Sequence, residues 1–537
     1  MTTITPPNID PAVFERALSE LRNMVGSEWV FTDPQAELSP YLDRMSPTPP
    51  ELRIPSAAVA PANVEQTQKV LKLANKLGIP IWYYGTGKNF GYGGPVPRMN
   101  GYLVVDLKRM NQVLEVNEKL GYAVVEPGVS YIQLYQHLQE IGSDLWIDCA
   151  APAWGGVIGN AMEHGAGYTP YGDHAVFQCG MEVMLADGSL VRTGMGAMPN
   201  SNTSSVFKYG YGPYLDGMFT QGNFGIVTKM GIWLMPKPPA HKPFMISFER
   251  EADLHTIIER IRPLKVSMVY QNAVILEHLS YSVGVQRPRS DYWTEKSPMP
   301  NEVWEQARSD LELGWWNMWG GLYGLPANID MQWEAIRSSF ADIPGVQFFE
   351  EGDRPADDVG WNYRTKLMRG EPNMTEFNIV NWRGGGHINF TPIAPLYGDI
   401  CVRATNMMRE IMNRHGFDYI TEYVAAFRGV IKLLMIMFDP RDEEERRRAY
   451  ECSQEIIVAA ASIGFGELKA HVEFMDLVAS TYSAQDNGLA KTLQKIKDAV
   501  DPVGILAPGK SGIWPSSWQG PKPQINADRS ADLPPRN

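Results

Sequence analysis

Cysteine is scarce: Cys149, Cys179, Cys401 and Cys452 stand far apart in 537 residues, with no C-x-x-C among them. That spacing excludes a disulfide scaffold or a structural zinc site and predicts four free, mostly buried thiols. Long apolar runs are missing too. None exceeds Leu433–Phe438, far short of a bilayer span, and the N-terminal MTTITPPNIDP lacks the charged start and apolar stretch of a secretory leader. No basic cluster offsets a net charge of -13, so a nucleic-acid partner is not expected. There is no internal repeat and no low-complexity core. These absences leave a cytoplasmic, globular protein, and 537 residues exceed what one hydrophobic core usually organises, so two domains are expected.

Glycine and proline are abundant, and their placement is informative. In Ile81–Pro97, IWYYGTGKNFGYGGPVP, an apolar strand runs into Gly85, Gly87, Gly91, Gly93 and Gly94. Glycine reaches positive φ without steric cost, so such a loop can aim several backbone amides at one anion. It reads as a diphosphate cradle. It is neither the G-x-G-x-x-G of a Rossmann turn nor a P-loop, since no Gly-Lys-Ser/Thr follows. A second glycine stretch spans Gly155–Tyr171 and a third spans Gly222–Thr228. Around them, the spacing predicts helices over Asn63–Leu77 and Ser130–Ile141, strands over Ile79–Tyr83, Tyr102–Leu107, Tyr122–Glu126 and Lys229–Met235, and a hairpin at Ala186-Asp187-Gly188. From about Ala240 longer amphipathic helices (Leu254–Ile261, Asp399–Arg414, Arg441–Ala461) alternate with strands (Asp418–Ala425, Ile431–Phe438), which marks a domain boundary. Asp501–Pro515 regains the earlier glycine-proline texture. The last twenty or so residues read as a tail.

Taken in order, GTGKNFGYGG, GYTPYGDH, FGIVT, GGGHINFTP and DPVGILAPGKSGIWP closely resemble the vanillyl alcohol oxidase and para-cresol methylhydroxylase family of flavoenzymes, over nearly the whole chain. The resemblance implies an α+β fold: a two-part FAD-binding domain (residues 1–240 and 471–537) and a cap domain (241–470) with an antiparallel sheet and flanking helices. It implies that Tyr84, Gly85, Thr86, Gly87, Lys88, Asn89, Gly91, Gly155, Gly156, Gly159, Asn160, Glu163, Gly165, Gly167 and Tyr168 hold the diphosphate and isoalloxazine. Gly225, Ile226 and Val227 are expected at the adenosine half, with Lys469 and Lys510 near the FAD. His387, behind Gly384-Gly385-Gly386, matches the histidine that bonds the flavin covalently in the oxidase branch. The implied chemistry is hydride abstraction from the carbon para to a phenolate oxygen, through a quinone methide. Re-oxidation is by dioxygen or a cytochrome, and the assembly is a homodimer or higher homo-oligomer.

The sequence departs from the family beside the reacting carbon. Of three groups that usually hold the phenolate, Tyr92 is present, but the tyrosine-arginine pair is replaced by Leu468 and Lys469, and the aspartate near flavin N5 aligns with Ala151. A hydrogen bond to a charged group contributes about 1.5–3 kcal/mol, so phenolate binding is expected to weaken. Lysine keeps the charge but not the planar fork. The substrate pocket is expected to comprise Tyr92, Ala151, Trp154, Tyr168 and Leu468, with Tyr92, Lys469 and Glu422 as candidate catalytic groups. Glu163 and His164 are the other groups that could replace the lost carboxylate. His174 and His471 read as structural, because no ligand spacing joins them to a metal site. Trp315, Trp316, Trp319 and Tyr323 read as cap core or a dimer surface. Two alternatives stand beside oxidation of a benzylic or allylic carbon: a flavin-binding homologue with lost or diverted turnover, and an oxidase of another alcohol class.

Overall fold

The computed structural model describes residues 4–522 and is organised by three sheets. The first comprises β1 (Val30–Phe31), β2 (Ala57–Val59), β3 (Ile81–Tyr84) and β4 (Leu103–Asp106), in the order β1-β2-β4-β3, with β2 and β3 parallel to β4. Helices α1 (Pro11–Val25) and α2 (Val64–Leu77) cover it. In α2 the Asn63 carboxamide accepts the Gln66 amide, and Gly78 ends the helix at φ 69°, where a side chain would be strained. The distant segment around Leu506 joins this sheet: Ile81 donates to Ile505, and Ala507 donates back to Ile81. The glycine-proline texture near the C-terminus therefore belongs spatially to the first sheet.

The second sheet is antiparallel: β5 (Val113–Asn117), β6 (Tyr122–Val125), β8 (Gln178–Met184), β9 (Leu190–Arg192) and β10 (Ile226–Trp233), in the order β5-β6-β10-β8-β9. A two-residue pairing of β7 (Leu145–Trp146) with β11 (Met235–Pro236) adjoins it. Helices α3 (Tyr131–Glu140) and α4 (Val157–Met162) pack here, α3 opened by a capping box between Ser130 and Gln133.

The third sheet takes all its strands from residues 240–438. They are β12 (Ala240–Phe248), β13 (Val274–His278), β14 (Trp316–Gly324), β15 (Gln347–Phe349), β16 (Gly386–Phe390), β17 (Ile393–Pro395), β18 (Ile420–Ala426) and β19 (Gly429–Phe438). The order is β15-β12-β14-β13-β18-β19-β16, with β17 also on β19, and every pairing is antiparallel. The alternation of side chains along a strand sorts its two faces. Val274, Leu276, Ile388, Phe390, Tyr423, Leu434 and Ile436 pack under the helices Leu254–Val266, Pro326–Phe340, Gly398–Arg414 and Glu443–Ser462. Ile275, Glu422, Val424, Ile431, Leu433, Met435, His387 and Asn389 face the opposite way, into a cavity. Trp316, Trp319 and Tyr323 are buried on β14. All four cysteines are free and buried. Among the described residues no helix is long and apolar enough to cross a membrane, and no cluster of side chains could hold a metal ion. The tail expected from the sequence lies mostly outside the described residues.

Candidate active site

Two adjoining cavities, the first at the first two sheets and the second reaching the third, are both walled by Lys88, Asn89, Tyr92, Gly155, Asn160 and Lys469. The first is lined by the glycine loop from Tyr84 to Asn89, by Gly155, Gly156, Gly159, Asn160 and Glu163 on and before α4, by Gly225, Ile226 and Val227 entering β10, and by Lys469 and Lys510. Among the described residues the amides of Thr86, Gly87, Lys88 and Asn89 find no protein acceptor, a run of donors suited to a diphosphate. Space lies open where Gly159 would carry a Cβ. Gly87 sits at φ 66°, Gly93 at φ 112° and Gly94 at φ 54°, which is what lets this loop fold back on itself. Lys510 pairs with Glu163 across the wall and joins the C-terminal segment to α4. This donor-rich, side-chain-poor cradle fits FAD.

Three expected contacts fall elsewhere. Gly91 lines neither cavity; its carbonyl accepts the Asn389 amide, and a Cβ there would press within 3.0 Å of His387 and Asn389. Gly165 likewise only accommodates Asn160, whose side chain would collide with a Cβ. Trp154, expected in the pocket, is 45% exposed and lies under the Lys88 ammonium, edge-on to Phe377. Pro152, two residues before it, and Gly155, next after it, do reach the pocket, because the turn at Ala151–Gly155 swings the indole outward.

The second cavity holds Ala151, Gly167, Tyr168, His387, Glu422, Leu468 and Lys469. Its walls are apolar: Phe90, Ile275, Phe377, Ile379, Val380, Val424, Ile431, Leu433 and Met435 contribute. Two polar clusters interrupt them. In one, the Lys469 ammonium stands 5.4 Å above the Tyr92 ring. Burial pushes the Tyr92 hydroxyl well above its ordinary range, so it stays a proton donor at neutral pH, and burial lowers the Lys469 ammonium. His387 is also here. Its Nε2 lies 2.6 Å from Asn389 Oδ1, its Nδ1 has no protein partner, and burial lowers its pKa to about 4.

The other cluster is built on Arg364, which is fully buried. It binds Glu277 and Glu422 at 2.6 Å each, and its Nη1, otherwise unpaired, lies 4.0 Å from Glu376. Tyr363 and Tyr168 donate to Glu376. Burial raises both Glu376 and Glu422, opposed by Arg364 and reinforced by the neighbouring carboxylates. Three carboxylates face one guanidinium, so repulsion among them favours holding a proton on Glu376 or Glu422. Glu163 lies in the cofactor cavity wall rather than in this cluster, while His164 reaches the substrate cavity. Glu376 and Arg364 escaped sequence reasoning, since they lie in unpatterned stretches. The signal that could have found them is Glu277 and Glu422, each alone in an apolar strand, which demand a buried cation. Asp148 is committed elsewhere, to His174 and the Thr169 amide, and His471 to Asp43.

Residues 55–194 match the FAD binding domain family, and residues 330–511 match the C-terminal domain of FAD linked oxidases. The chain is therefore an FAD-dependent oxidoreductase. It is 39% identical to the 4-cresol dehydrogenase [hydroxylating] flavoprotein subunit of Pseudomonas putida, over 95% of this chain and 98% of that one. Its structure superposes on 4-ethylphenol oxidase from Gulosibacter chungangensis, in an isoeugenol complex, with a TM-score of 0.93 at 38% identity, covering 95% of this chain and 99% of that chain. On p-cresol methylhydroxylase with substrate bound the TM-score is 0.92 at 39% identity, with the same coverage. With relatives this similar along its whole length, the chain belongs to the vanillyl alcohol oxidase and para-cresol methylhydroxylase family.

Proposed function

We propose that the protein oxidises the benzylic carbon of a para-substituted phenol or closely related aromatic. The observation that supports this most is the second cavity: an apolar slot for a ring, sharing Tyr92 and Lys469 with the cofactor cradle and reaching Glu376 and Glu422. The cradle from Tyr84 to Asn89, with Gly155, Gly156, Gly159 and Lys510, would hold FAD, which would supply the hydride acceptor. In this reading the Tyr92 hydroxyl donates to the ring oxygen, and the Lys469 ammonium balances negative charge there. The aliphatic walls exclude water from the ring. Glu376, in its ionised form, takes a proton from a nucleophile or from the oxidised carbon's substituent, replacing the aspartate that is absent at Ala151, and Arg364 holds it in place. His387 is the residue we propose for a covalent flavin bond, since its Nδ1 is uncharged and unpartnered. The electron acceptor is dioxygen or a protein electron carrier, and one relative carries each kind of name, a dehydrogenase and an oxidase.

Anaerobic mixing of the holoprotein with 4-ethylphenol, followed at the flavin band near 450 nm, tests the reaction. Bleaching is expected. No bleaching by any 4-alkylphenol or benzylic alcohol would leave the turnover-deficient alternative.

A further inference from the structure

A third cavity, of about 530 Å³, lies on the far side of Leu468 and Lys469. It shares His164, Leu468 and Lys469 with the substrate cavity, so Leu468 faces both, and it adjoins the cofactor cradle at Glu163, Gln221, Lys469, Ala470 and Met475. Its walls are largely apolar, with Leu468, Met475, Val478, Leu493, Ile513 and Trp514 among them. Near its rim Tyr482 and Leu489 expose 43% and 53% of their surface. Polar side chains line it as well, Glu163, His164, Lys469, Lys491 and Lys522 together with Glu467. Glu467 is 7% exposed, its Oε2 has no protein partner, and burial raises its carboxyl well above the usual range. A neutral carboxylic acid in an apolar chamber can donate one hydrogen bond to a ligand.

We propose that this chamber is a second subsite, and that the substrate is a 4-alkylphenol bearing a bulky apolar group, such as an aryl ring, beside its oxygen. The inference rests on the function proposed above, in which Tyr92 and Lys469 hold the ring oxygen. A substituent ortho to an oxygen placed there projects toward Leu468. A tyrosine in that position would add a ring and a hydroxyl there, whereas leucine leaves an apolar neck. The ortho group passes that neck and fills the chamber, where Glu467 donates to any acceptor it carries. The para carbon stays in the first pocket and the oxidation is unchanged.

Two probes without an oxidisable para carbon, phenol and 2-phenylphenol, separate binding from turnover when titrated into the holoprotein and read by the change in flavin absorption. Burying one phenyl ring is expected to tighten binding about 10- to 100-fold over phenol. Ala490→Trp and Gln494→Trp, on exposed helical positions lining the chamber, are expected to abolish that preference and leave phenol binding within about twofold. Equal affinity for the two probes, or a preference that both filled variants retain, overturns the subsite. In parallel, 4-ethyl-2-phenylphenol is expected to bleach the flavin at lower concentration than 4-ethylphenol. Preferential 2-phenylphenol binding without bleaching by either ethyl compound would overturn the proposed reaction and leave the chamber standing. Bleaching by 4-ethylphenol alone would do the reverse.

Discussion

Replacing Arg364 by methionine is expected to destabilise the cap severely, whereas replacing Glu422 by glutamine is expected to cost almost nothing. Glu277 and Glu422 sit directly opposite each other on β13 and β18, a like-charge cross-strand pair that destabilises a sheet unless something lies between them. Arg364 lies between them, at 2.6 Å from each. At an effective dielectric near 20, a unit charge pair about 4 Å apart interacts by ~4 kcal/mol, most of it offset by the desolvation of a fully buried guanidinium. Removing the cation alone forfeits the attraction and leaves the carboxylates behind, which costs about 3–5 kcal/mol in buried pairs of this kind. In a unit of some 200 residues that corresponds to about 6–20 °C in Tm. Glu422, by contrast, is pushed toward its protonated form by burial and by two neighbouring carboxylates, so glutamine replaces a group already close to neutral. Its Tm is expected to stay within about 3 °C. Thermal unfolding followed by circular dichroism, alongside release of flavin fluorescence, measures both variants. Equal losses for Arg364→Met and Glu422→Gln would refute the shared-proton account, because Glu422 would then have to be an ionised partner that Arg364 requires.

Three other substitutions test separate parts of the site. Glu376→Gln is expected to lower kcat by about 10²- to 10⁴-fold while the Kd of an unreactive phenol holds within about twofold. Because burial raises Glu376, its basic form accumulates only above the ordinary carboxylate range, so the wild-type rate should climb with pH through that titration and the variant should lose the limb. His387→Ala is expected to turn a yellow acid-precipitated pellet white; a pellet equally yellow in both proteins would remove His387 as the tether. Lys497→Met takes away a fully buried ammonium that donates to the carbonyls of Asn223 and Leu506 and pairs with Asp501 at 2.7 Å. The rise in flavin fluorescence on unfolding is expected at a temperature lower by about 5–15 °C, and an unchanged temperature would show that the C-terminal segment is held to the cradle by other contacts.

The cofactor cradle was the most legible part of the chain because its chemistry is local. A glycine at φ 66° or 112° announces itself by being glycine, and strand, loop and helix follow one another within thirty residues on either side. Helix limits were also readable where a cap fixed them, as with Asn63 and Gly78 around α2. The third sheet was not legible as one object, since β13 pairs with β18 about 150 residues away and the aromatic run Trp316–Tyr323 gave no sign that it was a central strand rather than a surface. The acidic cluster was least legible of all. Arg364 lies 87 residues from Glu277 and 58 from Glu422, and only the closed sheet brings them together. Trp154 failed for another reason: a large apolar residue beside a pocket residue suggests a wall, but turn geometry decides which neighbour points in.

The two polar clusters also explain how a site can lose its tyrosine, arginine and aspartate and remain a coherent pocket. In the function proposed above, Leu468, Lys469 and Ala151 surround the ring oxygen and the flavin edge, and none of the three side chains joins the Arg364 cluster. Glu376, Glu422 and Arg364 are different. Each is locked to the others and, through Glu277, to the cross-strand register of β13 on β18, so removing Arg364 leaves uncompensated carboxylates in the core. Substitution is therefore cheap at the oxygen end and expensive at Arg364. On the function proposed above, selectivity can drift toward larger or less acidic phenols through positions 151, 468 and 469 while Glu376 stays where it is.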